Sequence, residues 1–384
     1  MELIVWRANL HIQIIRNVGY GNLEGKMAEI LNPWIFVPHH HQGVHQEPLI
    51  DAHTRSPTQH NGVFKSEGIL TFMGAPFCPP DRNKIREMDA KICFLGAPWD
   101  QGTIVRTGTS SGPHGIRQAS SQYFPYMFEY DVDLMTFFNV VDCGDIPIVT
   151  GNNALSQQYI CDYVTECLEA GAKVIVVGGD HSVPIPGARA LSQYLTRRNP
   201  VGKMGYLHVD CHLDAAVDWA GIEITNASGP TEAFKLPNTS SRNMAHLGSR
   251  NGLNPKDWMD FWVDNDMPIY PMSEVVERGI EACGREILER AWDGTDAVYL
   301  SWDTDSIDCS CMPGTSCPES YGLKSREALA FARLAGEYGV DVLELAELSP
   351  IFDVSQMSAK LACNMIYHYL GSRASKLRSE NKKP

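Results

Sequence analysis

Long apolar runs are missing from this chain: none is long enough to cross a bilayer as a helix, so an ordinary membrane span is excluded. Basic residues are also scarce, with 32 Lys and Arg against 46 Asp and Glu, and they are not gathered into patches. Nucleic-acid binding rests on clustered cations that neutralise phosphates, so that class of partner is excluded as well. The net charge of −14 suits instead a weak attraction for cationic small molecules. Cysteine is present, but the framework it builds in small secreted domains is not: the eleven thiols are odd in number and scattered through a long chain. Reduced thiols in a cytoplasmic protein are expected. No signal peptide is expected, because Arg7, His11 and Arg16 interrupt the apolar residues near the start.

Sustained periodicity is absent from residues 1–67, where prolines and histidines are frequent from Pro33 onward. A largely irregular N-terminal arm is expected there. Met27, just ahead of Ala28-Glu29-Ile30-Leu31, is a candidate start within it. His39-His40-His41 with His45 has the chemistry of metal ligands. A flexible tract lacks the fixed geometry of a site, however, so a solvated arm or a subunit contact is favoured.

From residue 68 the pattern changes, and the 43% apolar content of the chain is that of a globular protein with a sizeable core. Strand-like runs fall at 91–96, 137–141, 203–209, 243–247, 268–270, 297–302 and 341–348, with another from Lys173 to Val177. Helical patterns fall between them at 114–121, 156–170, 183–196, 257–265, 273–292, 325–338 and 358–372. Such alternation predicts a parallel sheet covered by helices on both faces, in one α/β domain over 68–375 with a frayed tail at 376–384.

Chemistry concentrates at the ends of three of these strands. His208-Val209-Asp210-Cys211-His212-Leu213-Asp214 sets Asp210, His212 and Asp214 at alternate positions, where extended side chains share a face. Lys173 to Val177 runs into Gly178-Gly179-Asp180-His181, and Ala297 to Trp302 ends in Asp303-Thr304-Asp305. The carboxyl ends of strands are where open α/β sheets place their sites, so ordinary polar strand ends are a poor account of all three together. Imidazoles with carboxylates suit divalent transition metals. Four aspartates with two neutral histidines balance two such ions, and a hydroxide bridging them would be the nucleophile.

Gly178-Gly179-Asp180-His181-Ser182, Asp210-x-His212-x-Asp214 and Ser301-x-Asp303-x-Asp305, followed by Pro313-Gly314-Thr315, resemble the ureohydrolases, the family of arginase, agmatinase and guanidinobutyrase. Segments 96–103, 112–117 and 142–147 are similar to the agmatinase branch. The resemblance covers about residues 90–370 and implies a single-domain, three-layer αβα arginase-like fold with a mainly parallel sheet. Carried over by motif position, it implies one metal on His181, Asp210, Asp214 and Asp303, and a second on His212, Asp210, Asp303 and Asp305. Two divalent ions per chain, Ni2+ or Mn2+, are therefore expected. Glu347 and Asp305 are implied as catalytic residues, with Glu347 at the end of the last strand pairing with a guanidinium.

Two departures bear on substrate. Arginases and agmatinases carry a His-Gly after the second ligand cluster, whereas this chain has Ala227-Ser228-Gly229-Pro230-Thr231, which puts Ser228 in the substrate-facing place. The loop after Asp305 carries Cys309, Cys311 and Cys317; a zinc knuckle would need a second pair of ligands to match, and three thiols without one favour small half-buried cysteines. No partner for a distal charge can be identified. The expected reaction is hydrolysis of a guanidine-type C–N bond in a small cationic guanidino compound. Free guanidine, or an N-alkylated guanidine or biguanide such as metformin, would give urea or a urea derivative plus an amine or ammonia. The rivals are an agmatinase or guanidinobutyrase, a hydrolase of formimino or amide compounds, and a non-catalytic partner subunit of a ureohydrolase complex. The resemblance also implies a homo-oligomer, trimer or hexamer, alone or with a paralogous subunit.

Overall fold

The structure is a computed structural model and describes residues 69–382 and 384. The readings made for residues 1–67, including the irregular arm, Met27 as a start and the histidines at 39–41 and 45, lie outside the described residues. Among the described residues ten strands run in the order β1 (Ile92–Gly96), β2 (Tyr126–Met127), β3 (Val132–Asp133), β4 (Val141–Asp145), β5 (Lys173–Val177), β6 (Met204–Val209), β7 (Met244–Leu247), β8 (Ile269–Tyr270), β9 (Ala297–Asp303) and β10 (Val342–Ala346). Strands β2 and β3 form a small antiparallel ribbon, and the other eight form one sheet in the order β4-β1-β5-β10-β9-β6-β7-β8. Every pairing in that sheet is parallel.

A parallel strand between two helical layers is buried on both faces, which is why β5 and β9 read as continuous apolar runs instead of alternating ones. Alternation appears in the packing instead: on β5, Ile175 and Val177 enter one core while Val174 and Val176 enter the other. The first core is completed by helices 112–120, 280–292, 325–338 and 357–379, the second by helices 153–170, 184–196 and 256–264. The result is a three-layer αβα domain with one parallel sheet. No helix among the described residues is long and apolar enough to cross a membrane.

Local signals account for most boundaries. Asn152 accepts from Leu155 N at 3.1 Å to open helix 153–170, and Gly171, at φ 92°, closes it immediately before β5. Three expectations are corrected. The strand expected over 137–141 begins only at Val141 as β4: Phe137 and Phe138 belong to a short helix, Leu134–Phe138, which Asp133 caps and Asn139 ends in the left-handed region. The single helix expected over 273–292 is two, broken at Gly279, whose φ of 86° a helix interior does not admit. The last helix continues through Ser379, well past the expected Ser372.

Within the sheet, β5, β10, β9 and β6 are consecutive neighbours and point the same way. Their four carboxyl ends therefore open side by side on one edge of the domain.

Candidate active site

Each of those four ends delivers a part of the site. The turn after β5 is Gly178-Gly179-Asp180-His181, and it lies so close to the preceding loop that a Cβ on Gly179 would stand 1.4 Å from Trp99 O. Asp180 does not face the metal-ligand cluster; its carboxylate accepts from Gly102 N at 2.7 Å and from Ser182, which fixes the loop at residues 99–103. Burial, and then the charge of Glu347, push Asp180 up to about 7. The end of β6 carries Asp210, held close to the end of β7, where a Cβ on Gly248 would meet Asp210 O at 2.6 Å. Two site residues, Asp214 at φ 46° and Glu347 at φ 62°, sit in the left-handed region, a strain that collects at functional positions.

The side chains converge as their motif positions imply. His181 Nδ1 lies 2.7 Å from Asp210 Oδ2, 3.1 Å from Asp303 Oδ2 and 3.2 Å from Asp214 Oδ2. His212 Nδ1 lies 3.2 Å from Asp305 Oδ2 and 3.4 Å from Asp210 Oδ1. Asp210 thus turns one oxygen to each imidazole. Asp303 sends Oδ2 to His181 and accepts from Asp305 N through Oδ1 at 2.7 Å.

These donors fit divalent cations. Ser301 donates to Glu344 Oε2 at 3.0 Å, which leaves its oxygen to accept from His181 Nε2 at 2.8 Å. With the ring proton on Nε2, His181 Nδ1 would be free to ligate a cation at the point where oxygens of Asp210, Asp214 and Asp303 converge. His181 Nδ1 and Asp210 Oδ2 are both buried with no hydrogen-bond partner. Burial pushes Asp303 well above the usual carboxylate range, with help from Asp305 and Asp210, and pushes Asp214 up to about 7. For Asp210 burial acts in the same direction, but the attraction of the His181 and His212 imidazoles beside it outweighs that and holds the group well below its ordinary value. So many buried carboxylates call for positive charge between them.

Behind the ligands lies a pair that the sequence reading passed over. His208 precedes Asp210 by two on the same strand; its ring stacks on His181 with centroids 5.0 Å apart, and its Nδ1 faces His246 Nδ1 at 2.9 Å. Burial holds both rings below their ordinary value, so they are neutral packing for the ligands. Ser301 and Glu344 were equally unassigned, although Ser301 sat inside a motif and alternates with Asp303.

A cavity of about 370 Å³ opens above this cluster. Its floor is His212, Asp214, Asp303, Asp305, Ser316 and Glu347, and its walls include Ile104, Val105, Trp219, Leu253, Pro255 and Trp258. Glu347 is buried and raised by that burial; its Oε1 accepts from His181 N at 2.8 Å and Asn226 Nδ2 at 3.1 Å, and its Oε2 accepts from Ser316. Ser228, expected to face substrate, does not line the cavity. It is buried at the start of helix 229–234, bonded to Thr225, and Asn226 reaches the cavity in its stead. Of the three cysteines in the loop at 309–317, Cys317 alone lines the cavity, with its Sγ 3.8 Å from His212 Nε2.

A parallel αβα domain with His and Asp converging at neighbouring strand ends defines a metal-dependent hydrolase of amidine C–N bonds. The chain belongs to the Arginase family, whose model matches residues 90–371. It is 29% identical to the guanidinobutyrase of Pseudomonas aeruginosa over 325 residues, covering 84% of this chain and 97% of that protein. It is 28% identical to the agmatinase of Enterobacter sp. (strain 638), covering 76% of this chain and 90% of that protein. Among solved structures, proclavaminate amidino hydrolase from Streptomyces clavuligerus superposes with a TM-score of 0.73 at 26% identity, covering 81% of this chain and 99% of that one.

Proposed function

We propose that the chain hydrolyses the C–N bond of a small guanidino compound whose remaining substituent carries no charge: free guanidine, or an N-alkylated guanidine or biguanide such as metformin. The observation that carries this is the cavity lining. Its charged groups all sit on the floor, and among the described residues no Lys or Arg lines it to receive a distal carboxylate. Arg106, next to Val105, is turned away: it donates to the carbonyls of Thr315 and Ser316 and stacks on Phe352. The walls hold no carboxylate for a distal ammonium either. A buried charge without a partner is costly, so arginine, 4-guanidinobutyrate and agmatine are disfavoured.

Two divalent ions, Mn2+ or Ni2+, held by His181, Asp210, Asp214 and Asp303 and by His212, Asp210, Asp303 and Asp305, would supply Lewis acidity and lower the pKa of a water. The residues do the rest. Glu347, fixed by His181 N, Asn226 and Ser316, presents a carboxylate to the planar N–H donors and orients the central carbon towards the floor. Asp305 lines the same floor and is placed to take the proton of the attacking water and return it to the departing nitrogen. One water adds across the bond, the C–N bond breaks, and urea or a substituted urea leaves with an amine or ammonia. In the cell the active unit would be a homo-oligomer, with or without a paralogous subunit.

The test is product detection with the purified full chain. Urea or a substituted urea should form from guanidine, N-alkylated guanidines or N,N-dimethylbiguanide with metal-loaded protein and not after chelation. Hydrolysis confined to agmatine or 4-guanidinobutyrate would contradict the substrate reading, and no turnover of any of them would favour a partner-subunit role.

A further inference from the structure

Residues 219–222 form a two-residue hairpin at the cavity. Trp219 and Ile222 exchange both backbone hydrogen bonds, at 2.9 and 3.0 Å. Ala220 at φ 52° and Gly221 at φ 84° give the turn its primed geometry, and Asp218 Oδ1 accepts from Gly221 N at 3.0 Å. The hairpin buries little of itself: Val217 and Ile222 are 65% and 56% exposed. A fixed turn that leaves its apolar residues in water is unexplained by packing. It does, however, set Trp219 in the cavity wall beside Trp258, with indole centroids 6.2 Å apart and planes at 55°. Trp258 is 6% exposed and comes from helix 256–264, so one indole is anchored in the core while the other, 41% exposed, is carried by the hairpin.

We infer that Trp219 and Trp258 form an aromatic corner that selects the N-alkyl groups of the substrate, so that the preferred class is an N,N-dialkylated biguanide or guanidine rather than free guanidine. The inference rests on the substrate reading above and deepens it. Glu347 and the floor take the reacting guanidine carbon. The N-alkyl groups then lie against the walls, where the indole faces hold them through dispersion. A primary ammonium has a strongly hydrated point charge and needs hydrogen-bond acceptors that these walls do not offer. Free guanidine is too small to reach them.

Trp219 is the residue to change, since its hairpin lies outside the packed core. Affinity of the metal-loaded full chain for N,N-dimethylbiguanide and for guanidine is read as KM where the compound is turned over and as Kd by calorimetry where it is not. Trp219→Ala should weaken N,N-dimethylbiguanide roughly tenfold more than guanidine, and Trp219→Phe should recover most of that difference. Equal shifts for the two compounds, no shift, or wild-type protein that does not bind N,N-dimethylbiguanide would each overturn the aromatic corner. Failure to hydrolyse either compound bears on the substrate reading alone, because the affinity comparison stands without turnover.

Discussion

His181 Nδ1 and Asp210 Oδ2 face each other at 2.7 Å, both buried and both without a hydrogen bond. A contact this short between an imidazole nitrogen and a carboxylate needs a positive charge, a proton or a bound metal cation, to hold it. The site is therefore built around positive charge, and its four aspartates are tolerable in the interior only on that condition.

Asp210 turns one oxygen to each imidazole, and Asp303 lies between His181 and Asp305. Replacing either by alanine should remove both ions and all activity, whereas Asp305→Ala should chiefly weaken the site that includes His212. Metal analysis of the purified variants checks this; two ions per chain retained in Asp303→Ala would show that Asp303 does not bridge.

Ser301 reaches the ions only through His181. Ser301→Ala should lower metal affinity about 10- to 100-fold by freeing the ring to change tautomer, and cost about 1–3 kcal/mol of stability by stranding Glu344. Metal titration alongside urea unfolding separates the two effects, and unchanged affinity would remove Ser301 from the account. Ser301→Thr, which keeps the hydroxyl, should recover much of the loss.

Legibility in the sequence followed the distance over which the determining contacts act. His181, Asp210, His212, Asp214, Asp303 and Asp305 stand beside apolar strand runs, so their place at strand ends was readable from spacing, whereas Glu347 was singled out by the family resemblance. Asn226, Trp219 and Trp258 were not readable, because they come from loops and a helix face that reach the cavity only once β6, β9 and β10 are assembled. Ser228 shows the same limit from the other side: just ahead of helix 229–234, its hydroxyl turns back to Thr225 and away from the cavity, a local contact that matching it to a family histidine does not reveal. In the strand expected over 137–141, Phe137 and Phe138 are strand-favouring aromatics, and the cap at Asp133 draws them into the helix Leu134–Phe138 instead.

Burial pushes the Glu344 carboxyl up from 4.5 to about 8. Over that window the folded chain keeps a proton that the unfolded chain has given up, so the stability from this group is present below the unfolded value and is lost as pH rises to about 8. Metal-free protein should accordingly unfold at lower urea near pH 8 than near pH 5, and Glu344→Gln should flatten that slope. A slope unaffected by Glu344→Gln would assign the pH dependence to other groups.

The central claim, a metal-dependent hydrolase for guanidino compounds without a distal charge, is tested most directly by kcat/KM of Mn2+-loaded and Ni2+-loaded protein across one substrate series. The account predicts higher values for N,N-dimethylbiguanide, N-alkylated guanidines or guanidine than for agmatine, arginine and 4-guanidinobutyrate. Values for any of the three charged-tail compounds well above all of the others would contradict it.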